Sequence, residues 1–152
     1  MCRNLCKLFL ALCLVTVGGG VVANAQIDSG TAVQTNVPFT FMVGDTTLPA
    51  GKYEVRGLDD STPGVLELRS ADGRTSVIID TENVEAKSNQ VLNKSELVFD
   101  KVGDKYFLSQ VWEAGSSSGS QLAKSRMQKK LEGGGMQTER QSIAAVVGHP
   151  KR

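Results

Sequence analysis

The stretch VPFTFMVGDTTLPAGKYEVR, Val37 to Arg56, decides how the chain is read. Val37, Phe39, Phe41 and Val43 occupy alternate positions, the period of two that marks a half-buried strand. Pro38 has no backbone donor, so this strand must start at a sheet edge or at its own first pairing position. Gly44-Asp45 turns the chain, and Pro49-Ala50-Gly51 turns it again, with proline fixing its backbone angle and glycine free to take a positive one. A second strand, Lys52 to Leu58, sets Tyr53 and Val55 on one face and Glu54 and Arg56 on the other.

Strand patterns continue downstream. Asp59 to Gly64 is a loop of turn formers, and Val65 to Ser70 alternates Leu66 and Leu68 with Glu67 and Arg69. Asp72-Gly73 lies between that strand and the β-branched run Thr75 to Asp80, the strongest short-range hairpin signal. Glu82 to Asn93 reads as a surface loop. A second hairpin runs from Glu96 to Asp100, turns at Val102-Gly103-Asp104 and returns over Lys105 to Trp112. That return, KYFLSQVW, is apolar on both faces and so reads as a central strand.

Composition shifts at Glu113. Residues 113–120, with GSSSGS, read as a flexible linker. Residues 121–132 contain good helix formers and no Pro or Gly, with Ala123, Met127 and Leu131 on one face. Ser120 is the expected N-cap and Gly133 to Gly135 the stop. Ile143 to Val147 reads as a last strand and residues 148–152 as a tail. The expected fold is therefore all-β: one antiparallel sandwich or flattened barrel of about seven strands over residues 35–147, with one C-terminal helix.

The N-terminus reads as an export signal. Arg3 and Lys7 precede an apolar run, Leu8 to Val17, that is shorter than the roughly 20 residues a membrane span needs. Ala23-Asn24-Ala25 offers the small residues a signal peptidase requires, which places cleavage after Ala25 and export to the periplasm or the medium. Lipidation at Cys13 is the rival, but Leu12 is large for the residue before a modified cysteine. Cys2, Cys6 and Cys13 would all leave with the signal, so the mature chain would have no disulfide and no thiolate chemistry. Residues 26–34 are polar and aperiodic and read as a flexible start; no transmembrane segment is expected in the mature chain.

Charge is uneven. Residues 26–119 have 8 basic and 14 acidic side chains, whereas residues 120–152 have 7 basic and 2 acidic. The basic part could touch an anionic surface, although mutual neutralisation of the two parts is the simpler expectation. The basic residues lack interleaved aromatics, which argues against nucleic acid.

The order VPFTFMVGDTTLPAGKYEV, Asp-Gly hairpin, LVFDKVGDKYFLSQVW and LAKSR resembles a group of small exported bacterial proteins, of acidobacterial type, whose function is unknown. The resemblance covers roughly Thr35 to Leu131 and implies no activity, cofactor or catalytic residue. Locally, Leu48-Pro49-Ala50-Gly51-Lys52-Tyr53-Glu54-Val55 is similar to a signature of transthyretin-like and carboxypeptidase-regulatory-like sandwich modules.

Catalytic residue types are scarce. The only histidine is His149, beside Pro150 near the C-terminus, and no Gly-x-Ser-x-Gly elbow occurs after the signal. Acid–base work would fall to Asp59, Asp60, Asp72, Asp80, Glu82 and Glu85, which lie in turns or at strand ends where solvation is the ordinary role. No Cys/His spacing, calcium-loop pattern or phosphate-binding Gly-rich loop is present, so no metal or cofactor is expected.

The aromatic strand is the candidate binding element. Simple alternation places Tyr106, Leu108 and Trp112 on one face, where Tyr106 and Trp112 could stack on sugar rings or receive a partner if that face were open. Burial of both faces, one by an opposing sheet and one by the helix, is the expected arrangement. The chain is thus expected to be an exported, non-catalytic β module that binds a protein or envelope component. The alternatives are a small hydrolase using loop carboxylates and an envelope protein resting its basic helix, Lys124 to Lys130, on anionic lipid.

Overall fold

The computed structural model describes residues 31–86 and 91–148. The strands are β1 (Ala32–Val37), β2 (Phe41–Val43), β3 (Thr46–Leu48), β4 (Gly51–Gly57), β5 (Val65–Ser70), β6 (Ser76–Glu85), β7 (Ser95–Val102), β8 (Lys105–Trp112), β9 (Ser118–Leu122) and β10 (Thr138–Gly148). One helix, α1 (Arg126–Gly133), lies between β9 and β10.

Eight strands close into an antiparallel barrel in the order β1-β4-β5-β6-β9-β8-β7-β10 and back to β1. The all-β expectation holds, and the architecture is the barrel rather than the sandwich. The β2–β3 hairpin stands outside the ring and joins it by parallel pairing of Phe41 and Met42 with Tyr106 and Phe107. At eight strands a barrel interior is just wide enough to be filled by side chains. Here it holds Val33, Val37, Phe41, Tyr53, Val55, Leu68, Leu97, Phe99, Leu108 and Val111, with Phe41, Phe99 and Tyr53 packed edge to face.

Pro38 divides the predicted first strand. β1 ends at Val37, residues 38–40 cross to β8, and β2 starts at Phe41, although Val37, Phe39, Phe41 and Val43 all still join the core. The chain also becomes regular earlier than expected, because Ala32 to Gln34, read as a flexible start, belong to β1. The Asp72-Gly73 turn forms as predicted, with Gly73 at φ 70° and Asp72 Oδ1 accepting from the Arg74 N–H at 3.1 Å.

The segment after Trp112 departs most from expectation. Ser118 to Leu122 form β9, which pairs with β6 on one side and β8 on the other and so closes the ring. The predicted linker is ordered because serine hydroxyls complete its hydrogen bonding. Ser116 Oγ donates to the Ser118 carbonyl at 2.6 Å and accepts the Ser118 N–H at 3.0 Å, and both residues are buried. Bonding on both sides of β9 outweighs the helix propensity of Gln121 and Leu122, so the helix starts later, with Ser125 rather than Ser120 as N-cap accepting from the Gln128 N–H at 3.1 Å. Glu82 to Glu85, read as loop, extend β6, and the last strand is 11 residues rather than five.

Helix α1 lies on the outer wall. Leu131 packs on Met42, Val102 and Phe107, and the buried Gln128 donates to Asp100 Oδ2 at 3.1 Å. Asp100 Oδ1 is buried without a hydrogen bond, and Arg140 Nε stands 3.5 Å from it.

A bulge in β8 re-aims its second half. Phe99 pairs with Leu108 and Val98 with Gln110, so Ser109 is the extra residue. Tyr106 and Leu108 therefore point inward, as does Val111, while Phe107 and Trp112 point outward. Trp112 lies over Gly119, where an added Cβ would come within 2.6 Å of the indole. Trp112→Ala is expected to destabilise the fold by about 3–5 kcal/mol. Gly119→Ala should also destabilise it, and the double variant should lose less than the sum, because the indole's part of the clash disappears while the Val111 carbonyl, 2.9 Å from the added Cβ, still opposes it. Urea unfolding of the three variants measures this; strict additivity would show that the two residues do not meet.

Candidate groove at the barrel seam

The seam between β1 and β10 is short. Ala32, Val33 and Gln34 pair with Gly148, Val147 and Val146, and there the ladder stops. β1 continues to Val37 bonded only to β4, and β10 runs from Thr138 to Ala145 bonded only to β7. Two strand edges thus border an opening in the wall. A single side chain bridges it: the Thr35 hydroxyl donates to the Ala144 carbonyl at 3.0 Å, where a main-chain donor would otherwise be.

The opening forms a groove of about 500 Å³ lined by Gln34, Thr35 and Asn36 on one bank and Ala144, Ala145 and Val146 on the other. Lys52, Tyr53, Glu54 and Ala71 complete it. A smaller groove of about 270 Å³ continues past Lys52, Tyr53 and Ala71 to Pro49 and Asp72. Tyr53 is fixed by its hydroxyl, which donates to the Pro49 carbonyl at 2.7 Å. Desolvation, and secondarily the Asp72 charge, push its phenol above the ordinary value, so it stays neutral. Glu54 accepts from Gln34 Nε2 at 3.1 Å, whereas Lys52 has no ion-pair partner among the described residues.

The predicted binding residues lie elsewhere. Tyr106 is inside, stacked on Phe39 with ring centroids 3.9 Å apart, and Lys101 Nζ lies 5.9 Å from its ring centroid. Trp112 is outside and only 7% exposed, its indole N–H donating to Gln110 Oε1 at 3.1 Å. The shared Tyr106–Trp112 face is therefore corrected by the Ser109 bulge: the two rings lie on opposite sides of the barrel wall and form no common surface. Sequence reasoning missed the groove bank of Gln34, Thr35 and Asn36 because it started the first strand at Val37 and treated residues 26–34 as aperiodic. The signal was there, since Val33, Thr35 and Val37 continue the alternation backwards from the first predicted strand.

Of the candidate acids, Asp59 and Asp72 show turn chemistry, whereas Asp80, Glu82 and Glu85 lie on strand β6. Asp59 is held below its ordinary value first by the Ser61 hydroxyl, at 2.6 Å, and then by Thr62. Asp72 is held low by the Ser70 hydroxyl and the Arg74 N–H. Both are lowered, the reverse of what a general acid requires. Asp60 also interacts with its surroundings, and His149 lies outside the described residues. Among the described residues no three His, Cys, Asp or Glu side chains are arranged to hold a metal, and no helix is long and apolar enough to cross a membrane.

What these features define is a class, the closed antiparallel β-barrel with a helix on its outer wall and a partly open seam. No family model, curated protein or solved structure matches the chain.

Outside the groove, Glu67 on β5 is held low by the Ser76 hydroxyl, at 2.6 Å, and then by Arg56, also at 2.6 Å. A carboxyl lowered from its ordinary value of 4.5 contributes stability that is complete above that value and lost as the pH falls through the folded-state value. The stability difference between the unmodified chain and Glu67→Gln should therefore be constant from about pH 7 to about pH 5 and shrink on further acidification. Urea titrations across that range test it, and a difference that grew in acid would contradict the assignment.

Proposed function

We propose that the chain is a non-catalytic binding module of the cell exterior whose contact surface is the groove between β1 and β10. The observation that carries this reading is the seam itself. A barrel normally removes all its strand edges, yet here three residue pairs close the ring and the remaining edges border a lined groove. The carboxylates whose ionisation is displaced, Asp59, Glu67, Asp72 and Glu132, are all displaced downward, which gives a hydrolase reading no support. Export after Ala25 and kinship with the exported bacterial group are parts of the same proposal; they explain where a partner would be met.

The anionic-surface reading has one observation in its favour. Arg126, Lys129 and Lys130 of α1 are exposed and have no ion pair among the described residues, and Met127 beside them is 40% exposed. Lys124 is different, because Glu132 accepts from it at 2.8 Å. Co-sedimentation with anionic vesicles at low salt and release at high salt would be its signature.

The groove reading is tested by placing a photo-cross-linking residue at Val146 in the producing cell, with Ile78 as control. The two positions are almost equally exposed, at 64% and 62%, but only Val146 lines the groove. A discrete adduct from position 146 and none from position 78 is expected. Equal labelling of both, or none from either, would refute the groove as the contact surface.

A further inference from the structure

We propose that the opening between β1 and β10 accepts an extended, uncharged polypeptide segment as an added strand. This rests on the groove being the contact surface and specifies what it takes.

The direction of the main chain carries the inference. Val102 and Lys105 pair across the two-residue turn Gly103-Asp104, and the closing pair of such a hairpin exchanges its backbone bonds. Val102 and Asp100 therefore direct their N–H and C=O groups to β8, and Lys101 and Phe99 direct theirs to β10. Their partners there, Glu139 and Gln141, use their own groups on β7. The alternate residues Ser142 and Ala144 face the other way, into the opening. The Thr35 hydroxyl on the Ala144 carbonyl gives the same direction independently. On β1, Gln34 lies opposite Val146, the residue two beyond Ala144, and Asn36, two beyond Gln34, turns its groups to the same side. Asn36 and Ser142 thus present donor and acceptor to the gap, and Ala144 its donor, with no ladder partner among the described residues.

Backbone groups must be bonded somewhere. These alternate along the edges at the two-residue repeat of a strand, and another strand supplies complementary groups at that repeat. None of β10 is buried, and even Gln141, opposite the buried Phe99, is exposed, as expected of a strand open on one side. Edges are commonly protected by charge. Glu139 and Arg140 do this for the first part of β10, but Ser142 to Val147 (SIAAVV) has no charge and is rich in small and β-branched residues. Ala71, Ala144 and Ala145 leave room for incoming side chains, and Lys52 and Glu54 on the rim balance each other, which favours an occupant without net charge. The incoming strand's N–H replaces the Thr35 hydroxyl on the Ala144 carbonyl.

The probe is an acetylated, amidated heptapeptide of alternating threonine and valine, added to the isotope-labelled full chain. In the free protein the Asn36, Ser142 and Ala144 amides should exchange rapidly; at saturation they should slow by about tenfold or more. Ser142→Pro removes only an N–H that faces the opening, so it should abolish binding and leave the melting temperature nearly unchanged. Gln141→Pro removes a donor to β7 and should destabilise the barrel, which checks the assigned directions. The same peptide N-methylated at alternate residues should not bind. Strand addition is refuted if Ser142→Pro binds the peptide normally, or if the three amides are already slow in the protein alone. Native mass would then show whether a second copy fills the gap. An adduct from position 146 in cells without any peptide binding would retain the binding module and remove strand addition. Peptide binding without that adduct would do the reverse.

Discussion

The structure depends on how strand edges find partners. Each edge has a row of N–H and C=O groups that must be bonded, and closing a sheet on itself is the most complete solution. In this chain closure rests on β9, five residues of small polar sequence that bond to β6 on one side and β8 on the other. Without β9 the ring would end at β6 and β8, and two long edges would face solvent. The serine hydroxyl bonds before it and the late start of α1 both follow from placing that strand.

Closure at the opposite seam is incomplete. β10 must leave β7 to reach β1, and it meets β1 for only three residue pairs. Beyond them a threonine hydroxyl substitutes for the main chain. The groove is the geometric remainder of that exchange of partners. It lies on the wall rather than in the lumen, which is where barrels of this size have no space to spare. The interior is occupied by Phe41, Phe99, Leu97, Val55 and their neighbours, so it supports the wall instead of receiving a ligand.

Polar contacts position the outer layer. Glu132 accepts from Lys124, Gln128 and Thr138, and Gln128 reaches through to Asp100. Among the described residues, two ion pairs join the C-terminal part to the body, Arg140 with Asp100 and Glu139 with Lys101, whereas Lys124 pairs with Glu132 inside its own part. Arg126, Lys129 and Lys130 remain outside this arrangement.

Much of this was legible in the sequence. Alternation at Tyr53-Val55 and Leu66-Leu68, the Asp72-Gly73 and Gly103-Asp104 turns and the two-sided apolar character of KYFLSQVW determined an antiparallel all-β protein with β8 at its centre, because side-chain period and turn geometry are local properties of the chain. The facing of Trp112 was not legible, since one bulged residue reverses everything after it. Nor was β9, whose composition suits a linker until strands from distant parts of the chain bond both its edges. The groove was the least legible feature. It is made of Gln34–Asn36 and Ala144–Val146, two segments more than a hundred residues apart whose main chains stop pairing at Gln34. Alternation shows which residues face inward, but only the tertiary structure decides which edges meet and where they part.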